Sequence, residues 1–213
     1  MKHDVDSIRY KIFKAVFIVG IFMSFSVCLM NFLLSLKTLD TVLTFICGVI
    51  TVGLYIAFRI TGNIEKLTLS VVIFLSFIFF PTMWLVSGGT YSSMPYYFII
   101  NAAIISLLLI GLQRKIIFFL YVLLVGGLIV AEYKMPDVIY PGFDSELVRY
   151  IDLAFGLFIS LFSISTLIAV LIDSYMDELK KSRQYLATLE EKNREIEAKN
   201  EMLEKSNAEL MKA

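Results

Sequence analysis

The chain has 213 residues, 58% of them hydrophobic, and a mean hydropathy of +0.79. This composition excludes an ordinary soluble domain and predicts a protein embedded in the lipid bilayer. The 19 basic and 19 acidic residues balance, and no cluster of lysine and arginine resembles a nucleic-acid-binding patch, so nucleic acid is not expected as a partner of this chain.

Apolar runs fill most of the chain, and charge is concentrated at its end. Positions 173–213 hold 18 of the 38 Asp, Glu, Lys and Arg residues. Before them, six apolar runs are long enough to cross a hydrocarbon core of ~30 Å. We therefore predict an all-α protein with two domains, a transmembrane six-helix bundle at 1–172 and a cytosolic coiled coil at 173–213. The predicted spans are 13–35, 41–58, 67–86, 95–112, 116–132 and 150–172.

The positive charges predict the orientation of these spans. An even number of spans places both termini on one side of the membrane, and cytosolic segments carry an excess of lysine and arginine. Eleven such residues flank the two ends or follow the second and fourth runs, whereas the other links hold three. Both termini are therefore predicted to be cytosolic. The eleven are Lys2, Arg9, Lys11, Lys14, Arg59, Lys66, Arg114, Lys115, Lys180, Lys181 and Arg183, and the three are Lys37, Lys134 and Arg149.

No constellation for catalysis or metal binding is present in the sequence. Cys28 and Cys47 lie inside apolar runs without metal-ligand spacing, and His3, the one histidine, lies in a charged tail. We therefore predict no metal, no cofactor and no enzymatic activity for this chain.

Polar and aromatic side chains gather near the predicted outer face, among them Asn31. Glu132 lies about one bilayer thickness along a helix from Lys115. Polar groups at membrane depth are candidates for function, which predicts an outward-facing pocket for a small molecule or a lipid. Tyr and Trp also gather at interfaces without binding anything, so a purely interfacial role is the alternative. The candidate ligand-binding residues are Trp84, Tyr91, Tyr96, Tyr97, Asn101, Glu132, Tyr133, Arg149 and Asp152.

The region 149–210 is predicted to form one helix, because no Gly or Pro occurs after Gly156. We place Ile172 at position a of a heptad. In the second half of the predicted helix the d positions are then mostly apolar, and three successive a positions are Asn. Asn at a favours a parallel, in-register dimer, and the flanking e and g charges are opposite in sign. Small residues in the last span also allow two helices to approach closely. The predicted dimer contacts are Gly156, Ser160, Leu179, Leu186, Leu189, Asn193, Ile196, Asn200, Leu203, Asn207 and Leu210.

Three segments resemble a known family. The sequence WLVSGGTYSSMPYYF at 84–98, then GLQRK at 111–115, and FDSELVRYIDLAFG at 143–156 are similar to the six-span sensory input regions of bacterial sensor histidine kinases. Related regions precede some diguanylate cyclases. The resemblance covers roughly residues 80–172 and implies an input domain in the bacterial cytoplasmic membrane that drives a dimeric output domain. The phosphoacceptor box, ATP-binding domain and cyclase signature of such proteins are lacking, so the chain resembles the receptor half of a longer protein.

The predicted function is therefore signal reception and transmission. A small molecule or a membrane state would be sensed among the spans, and the coil would pass the signal to a cytosolic output, a histidine kinase acting on a response regulator. An input region of a diguanylate or adenylate cyclase is one alternative. A small transporter or channel is another, although it would place ionisable groups near the midplane. A passive anchor that only dimerises an enzyme is the third.

Overall fold

The computed structural model describes residues 2–36, 38–61, 64–135, 137, 139 and 143–210. Throughout these ranges the regular structure is helical, which confirms the all-α class. The α-helices are α1 (Lys2–Leu33), α2 (Thr38–Thr61), α3 (Ile64–Ile73), α4 (Phe80–Ser87), α5 (Met94–Leu108), α6 (Gly111–Lys134) and α7 (Glu146–Leu210), with a π-helical turn at Phe74–Phe79 and a 3₁₀ turn at Gly89–Tyr91.

Five helical segments of the described chain are long and apolar enough to cross a membrane. This supports a multi-pass membrane protein. One further apolar helix, α5, has 15 residues and a length of ~22 Å, which is less than the thickness of a ~30 Å hydrocarbon core. The predicted count of six spans therefore stays a prediction. The five segments are Tyr10–Leu33, Thr38–Ile60, Leu67–Ser87, Gly111–Lys134 and Glu146–Lys205.

The helix within the fourth predicted span, 95–112, ends before the span does. Helix α5 ends at Leu108, and Leu109 and Ile110 take extended backbone conformations. Gly111 follows with φ +59°, a left-handed value that glycine adopts without steric cost, and α6 begins there. Arg114 therefore lies in the first turns of α6 rather than in a link between two helices.

The third apolar run is one helical segment with a change of register in its middle. Pro81 has no backbone N–H and cannot close an α-helical bond to Phe77. The turn before it is π-helical, and the N–H of Phe80 donates to the carbonyl oxygen of Leu75. Such turns commonly accompany a proline and often lie at functional sites.

Helix α5 provides much of the core of the bundle. It packs against α1, α3, α4 and α6, and eight of its 15 residues are buried. The amide nitrogen Nδ2 of Asn101 donates to Ser76 Oγ of the π-helical turn at 2.9 Å, with both side chains fully buried. The hydroxyl of Tyr121 in α6 donates to the carbonyl oxygen of Phe98 at 3.0 Å. These two bonds join α5 to its neighbours through polar groups.

The chain divides into two compact units, Met1–Leu171 and Ile172–Ala213. The first contains α1 to α6 and the part of α7 up to residue 171. The second contains the rest of α7, whose helical assignment continues without interruption to Leu210.

Changing Asn101 to Leu should destabilise the bundle, because Ser76 loses its interhelical partner. We expect a loss of about 1 kcal/mol, the size of such bonds in membranes, or ~2–4 °C in melting temperature for a protein of this size. The measurement is thermal unfolding in detergent.

A control and a double variant separate the bond from general effects. Ser106→Ala removes a hydroxyl on an exposed face of α5 that bonds its own helix, so it should change little. Ser76→Ala combined with Asn101→Leu should cost less than the two single changes added together, since neither partner is left alone. Strictly additive losses would contradict a stabilising bond between these residues.

Candidate functional site

The site is built around the loop that joins α4 to α5, residues 88–93, which we call the α4–α5 loop. Helix α4 ends at Ser87, and the next residue, Gly88, stops the helix in a left-handed conformation with a φ of 97°. Gly89 follows with φ +57°, and a Cβ there would lie 2.3 Å from Oε2 of Glu132. The backbone conformation therefore favours glycine at 89, and a Cβ there would displace the Glu132 carboxylate from its present position.

Carboxylates from two helices hold this loop. Glu132 of α6 accepts hydrogen bonds from the backbone N–H of Thr90, at 3.1 Å to each oxygen, and from the Thr90 hydroxyl. Asp152 of α7 accepts from the backbone N–H of Ser93 at 2.9 Å and from its hydroxyl at 3.1 Å. Loop N–H groups that no helix satisfies thus find charged acceptors.

A third carboxylate lies at the start of α2. Asp40 is buried, and its Oδ1 accepts a hydrogen bond from Ser87 Oγ, the last residue of α4, at 2.9 Å. An acidic residue in the first turn of a helix is also favoured by the helix dipole. Carboxylates from α2, α6 and α7 therefore all bond to the α4–α5 loop or to its immediate flank.

Packing brings α7 close to the end of the loop. Gly156 lies one helical turn after Asp152, and a Cβ at this position would stand 2.2 Å from the Cβ of Ser93. Ser160 and Ser163 continue the same buried face of α7. Gly156 thus contacts the protein's own chain, and the predicted contact of Gly156 and Ser160 with a second copy stays a prediction.

A small polar cavity of about 30 Å³ lies beside these contacts. Its walls include Asp40 and Asp152, the amide of Asn31, and serines 87, 92 and 93. Tyr97 also lines it; its side chain is 7% exposed, and its hydroxyl has no hydrogen-bond partner in the described part of the chain. The cavity is therefore rich in hydrogen-bond acceptors and includes one buried hydroxyl with unused bonding capacity.

A larger apolar cavity of about 90 Å³ lies among α1, α2, α5 and the π-helical segment. Two threonines in its wall donate hydrogen bonds within their own helix. Thr44 donates to the Asp40 carbonyl at 2.8 Å, and Thr51 donates to the Cys47 carbonyl at 2.7 Å. Methionines 23, 83 and 94 supply flexible thioether walls. Four residues line both cavities and place them side by side: Val27, Met83, Met94 and Tyr97.

The structure distributes the nine predicted ligand-binding residues over several environments. Of these nine, Tyr97 and Asp152 line the polar cavity. Trp84 and Asn101 are fully buried in the core, where Trp84 packs edge-on against Phe98. Three more lie elsewhere: Glu132 holds the α4–α5 loop, Tyr96 is half-buried near the start of α5, and Tyr133 is 87% exposed.

The other two predicted residues form a surface cluster with α7. The guanidinium of Arg149 pairs with Glu146 at 2.8 Å and lies 4.3 Å from the ring centroid of Tyr91. Tyr91 in turn donates its hydroxyl to Glu146 at 3.4 Å. This cluster ties the exposed part of the α4–α5 loop to the first turn of α7 rather than facing a cavity.

Sequence reasoning missed Asp40, Ser87, Ser93 and the apolar cavity. Asp40 was detectable, because an acidic residue at the end of an apolar run is uncommon and costly to bury. The cavity was not, since its wall residues are ordinary apolar residues whose packing defects leave no pattern in the sequence.

The second unit displays the predicted heptad on a single helix. Four described a and d side chains, Leu186, Leu189, Ile196 and Leu203, are between 55% and 60% exposed, and Leu179 at an earlier a position is half-buried. An apolar stripe along an otherwise charged helix is typical of one strand of a coiled coil. Asn193, Asn200 and Asn207 are exposed at their a positions.

The described residues contain no group of three or more His, Cys, Asp or Glu side chains suited to a metal ion. The chain matches no protein-family profile, no curated protein and no solved structure at a significant level. The resemblance to sensory input regions therefore rests on the motif residues alone.

Changing Gly156 to Ala should loosen the contact between α7 and the α4–α5 loop, because the added Cβ overlaps Ser93. We expect a loss of about 1–3 kcal/mol, as for other overpacked sites. Thermal unfolding in detergent measures it.

Gly127 in α6 provides the matched control. A Cβ there meets no atom within 4 Å, so Gly127→Ala should be neutral or stabilise the helix by up to ~1 kcal/mol. A neutral Gly156→Ala variant with a changed dimer fraction would contradict the intramolecular contact and favour the predicted contact between copies.

Proposed function

We propose that the chain is the receptor module of a transmembrane signalling protein, which detects a small molecule within its helical bundle and passes the signal along α7. One observation carries the proposal. Asp152, which lines the polar cavity and bonds the α4–α5 loop, lies on the same helix as the heptad sequence that ends at Leu210. A change at the cavity would therefore act on the helix that leads to the output.

The π-helical turn supports a responsive bundle. Phe74, Leu75 and Phe79 of this turn line the apolar cavity, and Ser76 bonds Asn101 of the central helix. Conversion between π and α register shifts every following residue by a fraction of a turn. Occupation of the cavity would bias such a two-state element, which is the physical requirement for a switch.

We further propose six membrane spans with both termini in the cytosol of a bacterial cell. The charge distribution along the sequence supports this orientation. Helix α5 would cross as the central helix, and the extended residues Leu109 and Ile110 lead from it into α6. The output would be a histidine kinase of a two-component system, as the family resemblance implies, with a diguanylate or adenylate cyclase as the alternative.

The second unit would act as a parallel homodimer. Its exposed apolar d positions support a partner helix, and Asn at three a positions favours the parallel, in-register arrangement.

Cysteines at d positions should therefore cross-link between two copies in the membrane. In a variant with Cys28 and Cys47 changed to Ala, Leu189→Cys and Ile196→Cys should form disulfide-linked dimers on mild oxidation, because facing d residues bring their Cβ atoms within disulfide range. Ala187→Cys, at the outward b position of the same helix, is the matched control. Equal cross-linking at 187 and 189 would contradict the heptad assignment.

A ladder of insertions tests signal transmission along α7. Each inserted helical residue turns the following helix by ~100°, and seven residues nearly restore the phase of the heptad. One to seven residues inserted after Met176, in the chain fused behind Leu210 to a dimeric kinase domain, should therefore give periodic kinase activity that recovers near seven. A flat or steadily falling series would contradict transmission and leave α7 as a passive tether.

A further inference from the structure

We propose that the two adjoining cavities form one binding site for a primary amine carried on a hydrocarbon chain, with the ammonium group beside Asp152 and Tyr97 and the chain in the apolar cavity. This assignment rests on the proposed receptor role and names the class of molecule that the receptor detects.

The shared walls are the first reason. Val27, Met83, Met94 and Tyr97 line both cavities, so a molecule placed in one lies next to the other. The polar cavity of about 30 Å³ has room for a head group, and the neighbouring space of about 90 Å³ accepts a short hydrocarbon segment. An occupant of both must be polar at one end and apolar at the other.

The polar end favours a donor of hydrogen bonds with positive charge. Asp152 accepts two bonds from Ser93, and a carboxylate has roughly four lone-pair sites, so it has further acceptor capacity. The buried hydroxyl of Tyr97 lacks a partner in the described chain, which is costly unless a ligand or water supplies one. The described residues that line the polar cavity include the carboxylate of Asp152 and no Lys, Arg or His. An ammonium group, with three N–H donors and one charge, matches this set.

Other classes of ligand fit the two cavities less well than an alkyl amine does. Thr44 and Thr51 direct their hydroxyl protons to carbonyl groups of their own helix, so this wall offers little to a polar substituent. A bare inorganic cation would fill the polar end and leave the apolar cavity empty. A fatty acid would place its carboxylate beside Asp152, where like charges repel. An alcohol would supply one hydrogen bond without the charge.

Binding is measured on the full chain in phosphatidylcholine nanodiscs at pH 7. The fluorescence of Trp84, the one tryptophan of the protein, reports it, because Trp84 is the neighbour of Met83, which lines both cavities. The probes are n-butylamine, n-hexylamine and n-octylamine, with n-octanol and octanoate as molecules of matched chain. We expect saturable binding of the amines that strengthens with chain length, and binding of octanol and octanoate at least tenfold weaker.

Matched variants assign the two ends of the site. Asp152→Asn should weaken amine binding by about 10- to 100-fold, and Tyr97→Phe by about two- to tenfold. Asp173→Asn changes an exposed carboxylate of α7 that lines neither cavity, and should leave binding unchanged. Gly20→Val narrows the apolar cavity, where an added Cβ has ordinary contact with Thr51 at 3.6 Å, and should weaken octylamine more than butylamine. Gly53→Val, where a Cβ meets nothing within 4 Å, is its control.

The melting temperature of each variant is measured first, so that lost binding is not confused with lost folding. Equal binding of amine, alcohol and carboxylate would overturn the proposal, as would unchanged amine affinity in Asp152→Asn. Absence of saturable binding in the unchanged protein would overturn it too. Nanodiscs that contain phosphatidylethanolamine separate a lipid from a free amine: a reduced apparent affinity there would show that the lipid's own primary ammonium occupies the site.

The same titration on the kinase fusion separates this proposal from the receptor role. Amine binding with the expected variant pattern but without any change in kinase activity would leave the ligand class standing and contradict the receptor function. Periodic kinase activity in the insertion ladder together with no amine binding would leave the receptor function standing and contradict the ligand class.

Discussion

The structure depends on one constraint, which is that buried backbone polar groups must find partners inside the protein. Helices meet this requirement by themselves, but the α4–α5 loop does not. Carboxylates on α6 and α7 accept hydrogen bonds from the N–H groups of Thr90 and Ser93. Asp40 on α2 accepts a hydrogen bond from the last residue of α4. These helices are thereby fixed around one short irregular segment. The polar cavity lies beside that segment, and Ser92 and Ser93 form part of its wall.

Much of the fold was predictable from hydropathy, and little of the site was. The apolar runs predicted helices at the right places because lipid exposure requires continuous apolar sequence. The end of α5 was misplaced, since Leu109 and Ile110 are as apolar as the helix before them and their extended conformation leaves only Gly111 as a signal. Glu132 and Asp152 stood out as charges in apolar surroundings. Their partners did not, because a backbone N–H belongs to every residue and serine is common in loops.

The small residues of α7 illustrate a limit of sequence patterns. Gly156 and Ser160 form a small-residue face that suits a contact between copies, and the same face suits packing inside one chain. The position of Ser93 shows the contact inside the chain at Gly156, and sequence spacing does not contain it. The heptad of the second unit is different in kind. Its period, its Asn positions and its charge pairs each favour a partner helix, and the exposed apolar stripe on the described helix agrees with them.

The short length of α5 has a consequence for the surrounding lipid. Ile99 and Ser106 leave one stripe of this 15-residue helix exposed, whereas α6 has 24 residues and extends ~36 Å. In a bilayer, acyl chains beside the α5 stripe would meet a shorter apolar wall than those beside α6. Hydrophobic mismatch of this kind costs a fraction of a kcal/mol per ångström, so the annulus of lipid around the bundle would be thinner on one side. Such an asymmetric lipid annulus favours thin regions of the membrane, or a neighbouring protein that covers the side of α5.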